Sequence, residues 1–196
     1  MCLFTGFSKI LKEVFVSELL PPIRRLITGE NEQGRAVFIE DGPSPAVKTV
    51  PERPGYRVTN IWRTSASPCA IKEADSIHQQ KGVLPPQHGT VIRVIDYPPE
   101  PTDQKEIAAM QAATFASLYP DADHTLKAGD HPGMHKTDTV DYAIMLEGEI
   151  TAILEGEEKI IRAGDILIQR GTNHAWANRS GKPARIAFVL IDARRE

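Results

Sequence analysis

The sequence predicts an all-β protein whose strands close into a jelly-roll barrel, and two observations carry that prediction. First, residues 129–178 alternate short apolar runs rich in β-branched side chains with turn clusters that contain glycine. Strands of about five residues separated by such turns are typical of antiparallel sheets, and closure into a barrel or jelly roll hides the sheet edges. Second, the chain has 15 prolines and 14 glycines, which suits a turn-rich β protein. The strands predicted in this stretch are 142–146, 150–154, 159–161 and 166–169.

Size, charge and cysteine content limit the class of protein. The chain has 196 residues, enough for one domain with a sizeable core and too few for two full-sized ones. Its net charge of −3 gives no electrostatic reason to expect nucleic acid or an anionic membrane as a partner. Two cysteines, Cys2 and Cys69, are too few for a disulfide framework, and no apolar run approaches membrane-spanning length. We therefore expect a cytoplasmic protein.

Residues 1–20 are predicted to form a peripheral N-terminal helix, although two other interpretations stay open. Apolar residues fall on one side of a possible helix, while charged residues interrupt the run that a secretory signal would need. The segment could instead be a loosely held tail, or the start codon could be placed too early, with Val16 as the true first residue. The apolar positions are Leu3, Phe7, Ile10, Leu11 and Val14.

From Pro21 onward the chain is predicted to be a single domain, 21–196, that begins with a β extension. Residues 23–28 and 35–40 are predicted strands joined by a polar turn, and the proline-rich stretch 41–54 is expected to be an extended connection. The alternating stretches 56–65 and 89–97 are further strands, and the second is expected to begin the barrel core at about 89–192. Residues 184–191 supply the last strand.

A short helix is predicted over residues 103–118. This stretch is rich in Ala, Glu, Gln and Met, with Asp103 or Thr102 as its N-cap and Pro120 as its stop. Because it directly precedes the first group of possible ligands, it could cover the mouth of the barrel. It could equally be a surface helix that only packs against the sheet.

Possible metal ligands flank the strand-rich stretch at both ends. His131, His135, Asp138 and Asp141 precede it, and His174 follows it. In a regular strand His135 and Asp141 would point the same way, and so would His174 and Trp176. If the strand face with His135 and Asp141 and the strand face with His174 both line the barrel interior, two imidazoles and one carboxylate converge there. Non-haem Fe(II) oxygenases use such a set, and Zn²⁺ with the same ligands would retain a water.

This layout resembles the cupin family in both of that family's motifs. In the first motif a glycine precedes a His-x-His pair, a glutamate and a second glycine. The second motif ends in glycine, histidine and asparagine, with a proline before the glycine, where this chain has Gln169. The residues of this sequence that fall on the motif positions are Gly129, His135, Thr137, Asp141 and Gly148 in the first motif and Gly171, His174 and Asn178 in the second.

The resemblance implies a double-stranded β-helix barrel, a divalent metal and a homodimer. The metal would be Fe, Zn, Mn or Ni, held by His135, Asp141 and His174. Thr137 departs from the family pattern, because a neutral hydroxyl replaces an imidazole and should weaken metal binding. His131 could compensate from the preceding loop, and Asp138 could do so if a bulge turns it inward.

A metal-free barrel is the alternative interpretation of these residues. In that case His135 and Asp141 would pair with each other, and His174 would bond to Asn178 or to the backbone. Trp176 and Asn178 are expected to line the pocket, since both share parity with His174.

Two classes of function follow from these interpretations. The first is a metal-dependent enzyme that acts on a small organic molecule inside the barrel, with oxidation of dioxygenase type as the leading prediction. Metal-assisted isomerisation, cyclisation or decarboxylation is the next. The second class is a non-catalytic protein that binds a small ligand in the same pocket, since one fold can host unrelated functions.

Overall fold

The computed structural model describes residues 19–196, so the predicted N-terminal helix lies almost entirely outside the described residues. Within them, strands dominate and one α-helix, α1 (Gln104–Leu118), is present. No helix in this part of the chain is long and apolar enough to cross a membrane. The strands are β1 (Arg24–Glu30), β2 (Ala36–Pro43), β3 (Ala46–Thr49), β4 (Arg57–Thr64), β5 (Thr90–Tyr97), β6 (Thr139–Glu147), β7 (Glu149–Leu154), β8 (Glu158–Arg162), β9 (Ile166–Gln169), β10 (His174–Ala177) and β11 (Ala184–Asp192).

The strands form two facing sheets and a separate hairpin, as predicted for an all-β jelly roll. The larger sheet has the order β3-β4-β5-β11-β6-β9, and the smaller has the order β10-β7-β8. Strands β1 and β2 pair only with each other. One core is built from both sheets, with Ile95, Ala143 and Ile186 from the larger sheet and Ile150 and Trp176 from the smaller. The prediction of an all-β jelly-roll barrel is confirmed.

Helix α1 follows its sequence prediction closely. It begins after Asp103, whose side chain accepts a hydrogen bond from the backbone N–H of Lys105, and it ends before Pro120. An aspartate at this position satisfies an N–H group that the first turn leaves without a partner, and its charge suits the positive end of the helix dipole. The buried residues Phe115 and Leu118 join the core of the barrel.

Two local expectations are wrong. Residues 46–49 form β3, which pairs with β4, inside the stretch 41–54 that was expected to be only an extended connection. His135 and Asp141 were expected to point the same way in one regular strand through residues 135–141, but β6 begins only at Thr139. His135 instead forms an isolated bridge before that strand, and the chain bends at Asp138. The prolines around residues 46–49 argued against a strand there, and nothing in the sequence indicated the bend at Asp138.

A buried ionic network holds the middle of the larger sheet. Asp96 on β5 accepts hydrogen bonds from Arg57 on β4, with 2.5 Å between Nη2 and Oδ2, and from Arg185 on β11, with 2.6 Å between Nε and Oδ1. The two guanidinium groups also donate to the backbone carbonyls of Leu20 and Pro21 at 2.6 Å. One carboxylate therefore joins three neighbouring strands to the start of the described chain.

We predict that Asp96→Ala lowers the free energy of unfolding by about 3–5 kcal/mol, because it leaves a buried guanidinium without its counter-charge. The measurement is urea unfolding of the wild type and the variant. The matched control is Asp41→Ala, which breaks the exposed ion pair with Arg24 and should leave the unfolding midpoint nearly unchanged. Equal losses in the two variants would contradict the assignment of Asp96 as the anchor of the sheet.

Candidate functional site

A cavity inside the barrel contains the three residues that the sequence predicts as metal ligands. His135, Asp141 and His174 all line it, and its empty volume, including the open mouth, is about 390 Å³. Thr137 and Trp176 line the same cavity, as the sequence predicts for Trp176. Residues far apart in the chain therefore meet in one cavity, because both motifs end at the same side of the barrel.

The two histidines are held together by their own backbones. The N–H group of His135 donates to the carbonyl of His174, the N–H group of His174 donates to the carbonyl of His135, and both N···O distances are 2.9 Å. This reciprocal bridge lies outside the regular strands and places the two imidazole rings with their centroids 4.4 Å apart. The spacing of the rings is thus fixed by the main chain.

A backbone carbonyl orients each imidazole ring. Nδ1 of His135 lies 2.9 Å from the carbonyl oxygen of Gly133, and Nδ1 of His174 lies 2.9 Å from that of Thr172. Because a carbonyl oxygen can only accept, Nδ1 carries the proton in both rings and Nε2 keeps its lone pair. Metal-binding histidines in proteins are commonly oriented by such a bond from the nitrogen that does not bind the metal.

Both imidazoles are neutral near pH 7. Burial lowers the pKa of His135 to about 4, against the opposing effect of its bond to the carbonyl of Gly133. Burial also lowers the pKa of His174 to about 3, and the neighbouring His135 adds to that shift. Neutral imidazole is the form that binds a metal or accepts a proton, so no deprotonation has to precede either event.

Asp141 brings a carboxyl group into the same cavity. It lies on β6, is 5% exposed, and its Oδ1 has no hydrogen-bond partner among the described residues. Burial raises its pKa to about 6, although the hydroxyl of Thr139 and the charge of Arg93 act in the opposite direction. The group can therefore hold or release a proton close to neutral pH.

These donors fit a metal in part. Two imidazoles with free Nε2 atoms suit a divalent ion, and the unpaired Oδ1 of Asp141 is a third donor in the same cavity. Within residues 19–196, however, no three His, Cys, Asp or Glu side chains are close enough together to hold an ion as they stand. The set of His135, Asp141 and His174 stays a prediction.

The structure also places the residues that were predicted as additional ligands or pocket residues. His131 faces Glu100, with 3.4 Å between Nε2 and Oε2, and its Nδ1 accepts from the N–H of Gly133. Asp138 is exposed and pairs with Arg195 at 2.5 Å, because the bend turns it outward. Neither residue lines the cavity with His135 and His174.

Asn178 closes a turn instead of lining the pocket. Its Nδ2 donates to the carbonyls of Tyr97 and Lys182, and its Oδ1 accepts from the N–H and the hydroxyl of Ser180. These bonds close the turn between β10 and β11 and tie it to β5, so the expectation of a pocket role is corrected. Thr137 faces the cavity, and its hydroxyl lies 2.8 Å from that of Thr139.

Sequence reasoning missed several polar side chains of the cavity. Arg93 lines it, and so do three buried tyrosines. Arg93 lies on β5, where residues of the same parity, such as Val91 and Ile95, are buried and apolar. A charge at an inward position of a strand is the signal that could have revealed it. The three tyrosines are Tyr56, Tyr97 and Tyr119.

Helix α1 contacts the site through one aromatic residue. The ring of Phe115 lies 5.1 Å from that of His135 and stacks on that of His124, with centroids 3.8 Å apart. Nε2 of His124 lies 2.8 Å from the carbonyl oxygen of Pro132, which fixes the loop before His135. These contacts support the interpretation that the helix covers this end of the barrel.

Comparison with known proteins agrees with this architecture. Residues 122–191 match the family model described as a cupin domain. The chain is 28% identical over 190 residues to the cupin-domain-containing oxidoreductase srdD of Neurospora crassa. The aligned part covers 93% of this chain and 81% of the relative. It is 29% identical over 181 residues to the cupin-domain-containing oxidoreductase fogC of Aspergillus ruber, and that alignment covers 88% of this chain and 74% of the relative.

A solved structure is also similar in part. A cupin 2 conserved barrel domain protein from Salinispora arenicola aligns with 74% of this chain and 82% of its own, at 12% identity and a TM-score of 0.37. The matching family model covers both motifs, the bridge between His135 and His174, and strands β6 to β10. Residues 122–191 therefore form a cupin domain.

Proposed function

We propose that this chain is an oxidoreductase that converts a small organic molecule inside the barrel, by a metal-dependent reaction of dioxygenase type. The observation that carries the proposal is the pair of neutral imidazoles, with ring centroids 4.4 Å apart, in a cavity with aromatic walls. The names of the relatives from Neurospora crassa and Aspergillus ruber support the reaction class.

The proposal assigns a role to each polar group of the pair and its neighbour. His135 and His174 would hold a divalent ion through Nε2, with the carbonyls of Gly133 and Thr172 keeping the rings in place. Such an ion supplies electron transfer and open positions for substrate and oxygen. Asp141 would complete the ligand set or hold a proton at Oδ1 beside the substrate.

Two other functions use the same groups. A metal-assisted isomerase, cyclase or decarboxylase would need the same imidazole pair and a proton carrier such as Asp141. A non-catalytic protein would use the cavity only to bind a small ligand. The metal content of the protein separates the enzymes from the binding protein.

We predict that the protein purified without chelator contains a stoichiometric divalent metal, and that His135→Ala and His174→Ala each lose it. Each variant removes one of two nitrogen donors, so the remaining site binds the ion far more weakly. The measurement is elemental analysis by mass spectrometry. The matched control is His78→Ala, which removes an exposed histidine outside the cavity and should leave the metal content unchanged.

An empty wild-type protein would contradict the metal-dependent enzyme. If that protein bound a small ligand equally well with and without chelator, the non-catalytic function would stand instead. The variant Asp141→Asn tests the role of Asp141. Loss of metal in this variant would identify Asp141 as a metal ligand. If the variant kept its metal but no longer consumed oxygen, Asp141 would instead be identified as a proton carrier.

We also propose that the chain forms a homodimer, as the cupin resemblance implies. The hairpin β1–β2 exposes Phe38 (68%) and Ile39 (62%), although a two-stranded hairpin by itself is only marginally stable. The outer face of the larger sheet exposes Ile168 (52%) beside Tyr142, with which it is paired in register. Packing the hairpin of one copy on the sheet of another would bury both apolar surfaces.

We predict that the wild-type protein has about twice the chain mass in solution and that Phe38→Glu shifts it toward the monomer, because a charge at the centre of the interface would be buried. Light scattering coupled to size exclusion measures this. The control Ile71→Glu changes an isolated, fully exposed isoleucine and should leave the mass unchanged. A wild-type monomer would contradict the proposal.

A further inference from the structure

A buried arginine inside the barrel forms no salt bridge with any residue of the range 19–196. Arg93 lies on β5 at an inward position, is 2% exposed and lines the same cavity as His135 and His174. Its guanidinium group is charged at any pH near neutrality. Burying such a charge without an ion pair is costly, so the absence of a salt bridge to Arg93 calls for an explanation.

The contacts of Arg93 use only part of its hydrogen-bonding capacity. Nη2 donates to the carbonyl of Val83 at 2.8 Å and Nη1 to that of Gly82 at 3.4 Å. Nε is buried and has no partner among the described residues. A guanidinium group has five N–H donors, so three remain free, and their planar arrangement matches a carboxylate.

Two other buried arginines, Arg25 and Arg185, are paired with carboxylates. Arg25 binds Glu40 at 2.6 Å and Asp75 at 2.8 Å, and Arg185 binds Asp96 at 2.6 Å. Within residues 19–196 Arg93 forms no salt bridge, and Asp141 lies in the same cavity without pairing with it. Arg25 and Arg185 are thus neutralised by carboxylates of the protein, whereas Arg93, which faces the cavity, forms no such pair.

Arg53 is a second buried arginine with free N–H groups, but its surroundings differ. Its guanidinium carbon lies 4.2 Å from the centre of the Tyr56 ring and 5.5 Å from that of Tyr97, so aromatic faces partly compensate its charge. Arg53 lines an adjoining cavity under helix α1, which shares Tyr56, Tyr97, Tyr119 and Trp176 with the cavity of the imidazole pair, but Arg53 does not line that cavity itself. Arg93 is therefore the cation available to a molecule beside His135 and His174.

The remaining walls of the cavity are mostly apolar. Trp176, Phe188 and Leu190 face it, and the rings of Trp176 and Phe188 pack edge to face with centroids 5.2 Å apart. A molecule that fits must offer an apolar, preferably aromatic, surface to this side. It must also offer an anionic group to Arg93.

We propose that Arg93 binds the carboxylate of the substrate, so that the barrel selects compact aromatic or otherwise apolar monocarboxylic acids. The inference rests on the proposed function, because it names the substrate class for the same cavity. Arg93 is a binding residue in this account: it would anchor the carboxylate at one end of the cavity and leave the rest of the molecule beside the imidazole pair.

The test compares benzoate with benzamide, which have nearly the same shape and differ in charge. Isothermal titration calorimetry on the protein as purified should show that benzoate binds at least about tenfold more tightly than benzamide, as expected for a charge-assisted pair. Arg93→Gln should bind both equally weakly. The control Arg24→Gln removes an exposed arginine outside the cavity and should preserve the preference for benzoate.

A repeat of the titration after chelator treatment separates Arg93 from any bound metal, since a carboxylate can also bind a metal directly. The preference for benzoate should survive the chelator. If Arg93→Gln does not fold, Arg93→Lys replaces it, and this variant should keep the preference with several-fold weaker binding because the ammonium lacks the planar fork.

Three results would overturn the proposal: equal binding of the two probes to the wild type, no binding of benzoate, or an unchanged preference in Arg93→Gln. In the third case Arg93 would only hold the loop at Gly82 and Val83. Because the probes need no turnover, this outcome is independent of the metal content of the histidine variants. The proposed oxidoreductase could therefore fail while the carboxylate site stands, and the reverse also holds.

Discussion

The reciprocal backbone bridge between His135 and His174 is the constraint on which the site depends. It joins the loop before β6 to the start of β10, so residues from the two motifs become neighbours through main-chain hydrogen bonds of 2.9 Å. Since the carbonyls of Gly133 and Thr172 then fix the two rings, both imidazoles are oriented before any ligand arrives. Orientation in advance reduces the entropy cost of binding a metal or a substrate.

The distribution of buried charge separates the supporting structure from the site. Asp96 is satisfied by Arg57 and Arg185, so its charge stabilises the larger sheet and is not available to a ligand. Arg93 and Asp141 are equally buried but keep free hydrogen-bonding atoms, and both face the cavity. Unsatisfied polar groups are rare in folded proteins and concentrate where a ligand or a reaction uses them.

Much of the fold was predictable from the sequence, because strands, turns and helix α1 follow local patterns of apolar residues, glycine and caps. The meeting of His135, Asp141 and His174 in one cavity was predictable from the two motifs and the closure of the barrel. The orientations of Asp138 and Asn178 were not, because the bend before β6 and the turn after β10 break the alternation on which the prediction relied. The inward position of Arg93 was not predicted, because the apolar residues of β5 alone were enough to indicate a strand there.

The most direct test of the account is the protonation state of the two imidazoles in solution. A long-range ¹H–¹⁵N correlation spectrum of the chelator-treated protein resolves both nitrogens of each ring, and a pH titration follows them. The account predicts that His135 and His174 are neutral at pH 7 with the proton on Nδ1, and that they stay neutral until the pH approaches their pKa values of about 4 and about 3. Protons on Nε2, or rings that titrate near the ordinary value of 6.5, would show that these imidazoles are not held ready to bind.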